Sequence, residues 1–391
     1  MPGRRPLPAL TGIRFFLALW VVIYHQVKPL AEASVRLPPA LRPSVMALFD
    51  TGYSAVTAFF VLSGFVLAYN YDFGALTAAA GRTRFAIARF SRIYPAYLAG
   101  LLLLVPLALY RLLSGIQIAP PAVEWRDFVL NVLLVQAWSP YSALTWNYPG
   151  WSLSNEAFFY AVFPVAGAWL WRMERPAALF GAMLALWALS SLAPGIAVSI
   201  PVHHWGDVAA TQHTLPDDVS IWANLIRYNP LLRLPEFCAG IVLAKIYFTL
   251  KPQRHGPWLY ATGGLASVLI LSQAGRIPYP LVHNGLLLPL YALLIIGLAV
   301  GGGWPARWLS HPVLLLLGNA SYAMYILHAP LYAWLDIFFR RALHREPSDM
   351  VWFFSYLAVV ISVACLFFHF VEEPLHRRLR SALQQRLGQA R

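Results

Sequence analysis

The sequence predicts an all-α integral membrane protein of about ten transmembrane helices with both termini cytoplasmic. Three observations carry this expectation. Hydrophobic residues make up 59% of the 391, charged residues only 12%, and the mean hydropathy is +0.59. That composition excludes a water-soluble globular domain of this length. Apolar stretches long enough to cross a hydrocarbon core recur along the whole chain. They are rich in Leu and Ala and lack the dyad alternation of barrel strands. Residues 1–391 therefore read as a single polytopic domain with no soluble C-terminal domain.

The N-terminus mimics a signal peptide, with Arg4 and Arg5, an apolar run and Ala31-Glu32-Ala33 as an A-x-A-like site. The run carries Arg14 and His25, which a signal core normally lacks, so it reads as an uncleaved first span. Ten spans follow from the apolar pattern, at about 12–28, 51–70, 93–113, 150–171, 177–193, 225–247, 257–273, 281–300, 313–338 and 350–371. The segment DFVLNVLLVQAW, 127–138, is short for a span and reads as a re-entrant or interfacial helix. The exterior loops that matter are 29–50, 114–149 and 194–220.

The formal net charge is +13. The positive residues flank membrane segments, so topology and anionic lipid account for most of them and nucleic acid is not needed. With the N-terminus inside, 17 of the 29 Lys and Arg fall on cytoplasmic flanks and 9 outside; Arg14, Arg227 and Arg233 lie within spans. The asymmetry places both termini inside, although Arg340, Arg341 and Arg345 run against it. The two cysteines, Cys238 and Cys365, sit in apolar surroundings and read as small hydrophobes, with no zinc spacing.

Arg14 and His25 are eleven residues apart. At about 100° per residue they project from one helix face, roughly 16 Å apart along the axis. Such a stripe is expensive in a membrane unless it faces protein or a wet cavity; the structural alternative is a snorkelling Arg and a His at the far end. A neutral imidazole can take a proton from an attacking alcohol, and a guanidinium can hold phosphate by a bidentate fork. Arg89 and Arg92 share a face at the cytoplasmic end of the third span and, with Arg82 and Arg84, could hold a polyphosphate; positive-inside anchoring is the alternative, preferred for Arg82 and Arg84. Glu156 could orient His25 as a triad carboxylate does, or pair with Arg227 or Arg233. Arg233 and Glu236 read as an i,i+3 ion pair. Ser321, Tyr322, Tyr325 and His328 could line a polar cavity, or make intrahelical hydrogen bonds only. The loop with His203, His204, Asp207, His213, Asp217 and Asp218 has no recognised ligand spacing and reads as solvated; no metal is expected. No G-x-S-x-G, Walker A or H-E-x-x-H is present.

Seven segments together resemble the membrane-bound acyltransferase family 3. They are Arg14–x10–His25, FFVLSGFVL at 59–67, RFSRIYPAYL at 89–98, WSLSNEAFFY at 151–160, NPLLRLPEF at 229–237, SYAMYILHAP at 321–330 and VEEPL at 371–375. They occur in the family's order and span nearly the whole chain. Two departures stand out: Ala157 replaces the second acid of the W-S-L-x-x-E-E form, and Asn319 stands where Arg or Lys is common. The resemblance implies a multi-pass enzyme of the bacterial cytoplasmic (inner) membrane. It implies transfer of an acyl group, usually acetyl, from cytoplasmic acyl-CoA to a hydroxyl of a carbohydrate, an envelope polysaccharide or a lipid-linked glycan. It maps the family's Arg/His pair onto Arg14 and His25, its Arg-x-x-Arg onto Arg89 and Arg92, and its acidic residue onto Glu156. Arg89, Arg92 and Arg14 would hold the CoA phosphates, and His25 would activate the acceptor. A covalent acyl-enzyme on His25 or Ser152 is the less favoured route. Some relatives carry a C-terminal esterase-like domain; this chain is expected to act alone, as a homo-oligomer, or with a separate extracytoplasmic partner. A transporter or flippase of an acylated or phosphorylated substrate is the competing expectation.

Overall fold

A computed structural model describes residues 4–114, 124–199, 221–251, 255–344, 349–378 and 382. The His- and Asp-bearing loop from 203 to 218, Arg254, Arg345 and the basic tail from 379 apart from 382 lie outside the described residues. Among those described there is no strand.

Helix α1 spans Pro8–Tyr24, with Pro8 in its first turn where a missing N–H costs nothing. A bend of 79° separates it from α2, Lys28–Ala33, which continues as a short 3-10 turn to Arg36. Two helices follow: α3, Arg42–Asp50, and α4, Ala55–Asn70. Helix α5, Ala79–Ser114, is 36 residues long. At about 54 Å it exceeds the hydrocarbon core. The expected third span therefore has an N-terminal extension of the same helix, which carries Arg82, Arg84, Arg89 and Arg92. Apolarity alone started that span at about 93 because the extension is basic.

The 127–138 segment forms the eight-residue α6, Trp125–Val132, and a turn at Gln136–Trp138, too short to cross. Helices α7, Trp151–Trp171, and α8, Pro176–Ser199, follow. The expected 225–247 span is broken. Helix α9, Ile221–Tyr228, ends where Asn229 caps α10, Pro230–Leu250, by accepting from Leu231 N at 3.0 Å. Asn-Pro at a helix start is a sequence reason for the break. After α11, Gly256–Leu271, the next span is also interrupted: α12, Tyr279–His283, is followed by Gly285 at φ +74° and then α13, Leu288–Val300. Helix α14, Gly303–Leu309, leads into α15, Pro312–Ala342, and α16, Met350–Phe367, which runs into a π turn at Phe368–Glu372.

Among the described residues, six helical stretches are long and apolar enough to cross a membrane, or seven if the bent α1–α2 pair counts as one. Helices α7 and α10, at 21 residues each, are long enough but carry intramembrane charge. Glycine permits close crossings. A Cβ on Gly64 of α4 would lie 2.0 Å from Phe237 O, and one on Gly240 of α10 would lie 2.0 Å from Val61 O. Likewise a Cβ on Gly318 of α15 would lie 2.0 Å from Thr11 O. Backbone-to-backbone contact of this kind replaces the hydrophobic drive that lipid does not supply.

The breaks are sealed by polar side chains. Arg233 donates to the freed carbonyl of His283 at 2.7 Å and to Thr57 Oγ1 at 3.1 Å, and pairs with Glu236 at 3.0 Å. Asn284 Nδ2 donates to Ile226 O at 2.7 Å. Non-helical backbone at membrane depth is tolerated only where protein satisfies it in this way. The i,i+3 expectation for Arg233 and Glu236 holds, and both cysteines are free thiols.

Candidate active site

Helices α1, α4, α5, α7 and α15 enclose a cavity of about 100 Å³. Its floor and walls are apolar, from Val56, Phe59 and Leu62 on α4 to Ile93 and Leu153. Into it project Arg14 from α1, Arg89 and Arg92 from α5, Glu156 and Tyr160 from α7, and Ser321, Tyr322 and Tyr325 from α15. Arg14, Arg89, Arg92 and Glu156 come from three separate stretches of sequence and meet in one chamber.

Helical spacing explains each contribution. Ser152, Glu156 and Tyr160 lie four apart on α7, so one face delivers all three. Glu156 accepts from Ser63 Oγ at 3.2 Å and from the hydroxyl of Tyr160. Arg14, Arg89 and Arg92 lie within its electrostatic reach or that of Tyr160. A carboxylate among guanidiniums and hydroxyls is a tolerable way to bury charge. Arg82 and Arg84 behave differently, donating to Thr77 O, in the turn just before their helix, and to Ala80 O, in its first turn. The basic cluster thus divides: Arg89 and Arg92 reach the cavity, while Arg82 and Arg84 stay at the helix entrance. Arg89 packs over the Tyr71 ring at 5.5 Å, and its buried Nε has no hydrogen-bond partner. An orphaned guanidinium N–H in a cationic chamber is what an anionic ligand would satisfy.

At its α7–α15 wall the cavity ends on a hydrogen bond of 2.8 Å between Ser152 Oγ and Tyr325 OH. Beyond lies His25. It caps α1, its Nδ1 is 2.9 Å from Val21 O, and Tyr148 packs on its ring at 4.7 Å. Facing it is His328, whose Nε2 is 3.3 Å from His25 Nδ1. The local cause is Pro330, which cannot donate to Ile326 O. Asn147 Nδ2 donates to that carbonyl instead, at 3.0 Å, and Asn147 lies in the same turn as Tyr148.

Ser321, Tyr322 and Tyr325 therefore line the cavity as a group. His328 does not join that lining and meets His25 instead. Glu156 hydrogen-bonds to Ser63 and Tyr160 rather than to His25, and Arg227 and Arg233 bond elsewhere, to Asn224 and Tyr279 and to Glu236. Sequence reasoning missed Ser63, Tyr160 and Tyr148. The i+4 spacing of Tyr160 from Glu156 was available as a signal; Ser63 and Tyr148 have none short of the fold. Among the described residues no group of three or more His, Cys, Asp or Glu could hold a metal.

Fold and chamber together define an all-helical, multi-pass membrane protein with an arginine-lined interior. A family model described as an acyltransferase domain matches residues 7–369, and the chain belongs to that family, acyltransferase family 3. Acyltransferase MdmB of Streptomyces mycarofaciens is 31% identical over 333 residues, 82% of this chain and 78% of that protein. Exopolysaccharide production protein ExoZ of Rhizobium meliloti (strain 1021) is 28% identical over 72% of this chain and 76% of its own length. A protein of Staphylococcus aureus (strain COL) named as an O-acetyltransferase is 24% identical across 98% of this chain and 59% of itself. No solved protein structure matches.

Proposed function

We propose that this protein is a membrane-embedded O-acyltransferase. It takes an acyl group, acetyl in the first instance, from cytoplasmic acyl-CoA and passes it to a hydroxyl of a carbohydrate or envelope-polysaccharide precursor. One observation carries this reading. Three guanidiniums, Arg14, Arg89 and Arg92, open on an apolar-walled chamber whose lining residue Tyr325 stands 6.2 Å, ring to ring, from His328, the partner of His25. Phosphates suit the guanidiniums, a pantetheine arm suits the apolar walls, and an imidazole suits the transfer. The names of MdmB, ExoZ and the staphylococcal relative add support for acyl transfer and for a polysaccharide acceptor.

In the proposed reaction His25 takes the proton of the acceptor hydroxyl as its oxygen attacks the thioester carbonyl. The C–S bond breaks, and the leaving thiolate takes the proton back from the imidazolium. Glu156 balances the charge of Arg14, Arg89 and Arg92 and, with Tyr160 and Ser63, keeps them spaced for phosphate. Tyr325, Ser152, Ser321 and Tyr322 form the polar lining between donor and acceptor. In the membrane we read ten spans in the bacterial cytoplasmic membrane, with α7, α10 and α11 crossing beside the more apolar stretches and both termini inside.

The test is transfer of label from [14C]acetyl-CoA to the envelope fraction of the source cells by purified protein in vesicles without an ion gradient. Wild-type protein is expected to label the glycan. His25→Ala should fold and lose about 10²–10⁴ of the rate, the size of a missing general base. Label that crosses the vesicle but never becomes covalent would show a transporter instead. Near-wild-type labelling by His25→Ala would remove the base from this mechanism.

A further inference from the structure

The two imidazoles at the end of the cavity carry enough hydrogen-bond information to assign their protons. His328 Nδ1 lies 2.6 Å from Tyr325 O, one turn back on the same helix. A carbonyl oxygen only accepts, so Nδ1 bears the hydrogen. In a neutral ring Nε2 then bears the lone pair, and it faces His25 Nδ1 at 3.3 Å. The other neighbour of His25 Nδ1 is Val21 O at 2.9 Å, again an acceptor. Both partners of His25 Nδ1 accept, so that atom carries the hydrogen and the free lone pair of His25 sits on Nε2.

We propose that His328 is a positioning residue for acyl transfer, sharing the Nδ1–H of His25 with Val21 O, fixing the direction of the His25 ring so that Nε2 is the base, and accepting from the imidazolium as it forms. The inference rests on His25 being the base. The role is that of the carboxylate behind a catalytic imidazole, filled here by a second imidazole. The substitution fits the surroundings. His328 is fully buried, and a neutral acceptor there avoids a second uncompensated charge in an apolar interior.

The supports of His328 are themselves fixed. Tyr356 on α16 donates to His328 O at 3.2 Å. The Tyr148 ring lies 4.7 Å from the His25 ring and 5.8 Å from that of His328, and Tyr24 flanks His25 at 4.8 Å. Helices α1 and α15 touch through backbone at Gly318, so the two rings are mounted on elements that cannot slide apart.

The experiment uses full-length protein in vesicles, [14C]acetyl-CoA at varied concentration and the envelope fraction of the source cells as acceptor. His328→Asn keeps an amide near the Nδ1 position but does not reach His25. It is expected to lower kcat about 10²-fold, less than the ~10⁴ for a triad carboxylate because a neutral acceptor holds an imidazolium less strongly. Its KM for acetyl-CoA should stay within about twofold, since the donor phosphates lie at the far end of the cavity. His328→Gln can present its oxygen to His25 Nδ1 and should recover most of kcat. Wild-type kcat in His328→Asn, or a Gln variant as impaired as Asn, overturns the positioning role while an inactive His25→Ala leaves the base in place. An active His25→Ala overturns the reading beneath it.

Discussion

The guanidiniums of Arg89 and Arg92 end in the cavity, whereas those of Arg82 and Arg84, earlier on the same helix, end on carbonyls at and just before its start. The difference sets their expected phenotypes. Arg89→Ala and Arg92→Ala should raise the KM for acyl-CoA more than they lower kcat, because phosphate contacts made in ground and transition states alike provide uniform binding. Arg84→Ala should leave both within about twofold. Steady-state kinetics with acetyl-CoA as the varied substrate checks this; collapse of kcat with an unchanged KM in the Arg89 and Arg92 variants would move these residues to the chemical step. Arg14 was legible in the sequence as an intramembrane charge in need of a polar interior, and it lines the cavity; His25, at the end of α1, lies outside that lining. The partner of His25 was not legible: His328 stood out only as a cavity-lining candidate, and 303 residues separate it from His25. Glu156 was legible as a buried acid in need of partners, but the hydroxyls that satisfy it are known only once α4 and α7 are packed.

At the scale of elements, the crossing of α4 and α10 depends on Gly64 and Gly240. Gly240→Ala puts a methyl group 2.0 Å from a backbone oxygen, and a backbone cannot turn aside as a side chain can. Overpacking of this kind costs about 1–3 kcal/mol. A clear fall in melting temperature in detergent is expected, whereas Gly181→Ala on α8, where nothing lies within 4 Å, should leave it unchanged or slightly raised. Equal melting of the two variants would show that the crossing relaxes freely. Helix positions were legible because apolar length survives any packing. The breaks at Asn229 and Gly285 were not read, although Asn229-Pro230 was a signal for the first; the carbonyl freed at the second is satisfied by Arg233 from another helix.

For the whole molecule the open quantity is sidedness. Charge asymmetry in the sequence puts the start of α5 inside and α2 outside. In a background lacking Cys238 and Cys365, a cysteine at Ala33 should react with an impermeant thiol reagent added to intact cells. A cysteine at Thr83, exposed near the start of α5, should react only after the inner membrane is opened. The reverse pattern would invert the orientation and bring donor and acceptor in from opposite sides to those proposed, while leaving the role of His25 intact. Charge counting made this expectation possible, and Arg340 and Arg341 at the end of α15 are its exception. Arg340 pairs with Asp336 at 3.1 Å and Arg341 donates to Tyr110 at 3.0 Å, so both are engaged with protein.

The lining of the cavity holds three guanidiniums and one carboxylate, a net of two positive charges, with Glu372 near Arg92 just outside it. Inside a low dielectric such an excess is compensated from solution. On the proposed mechanism, a polyphosphate donor would enter such a chamber by displacing small anions attracted to the arginines. Donor affinity then becomes a property of the electrolyte as well as of the protein. Phosphate or sulfate in the medium should then compete for the same forks and raise the KM for acyl-CoA.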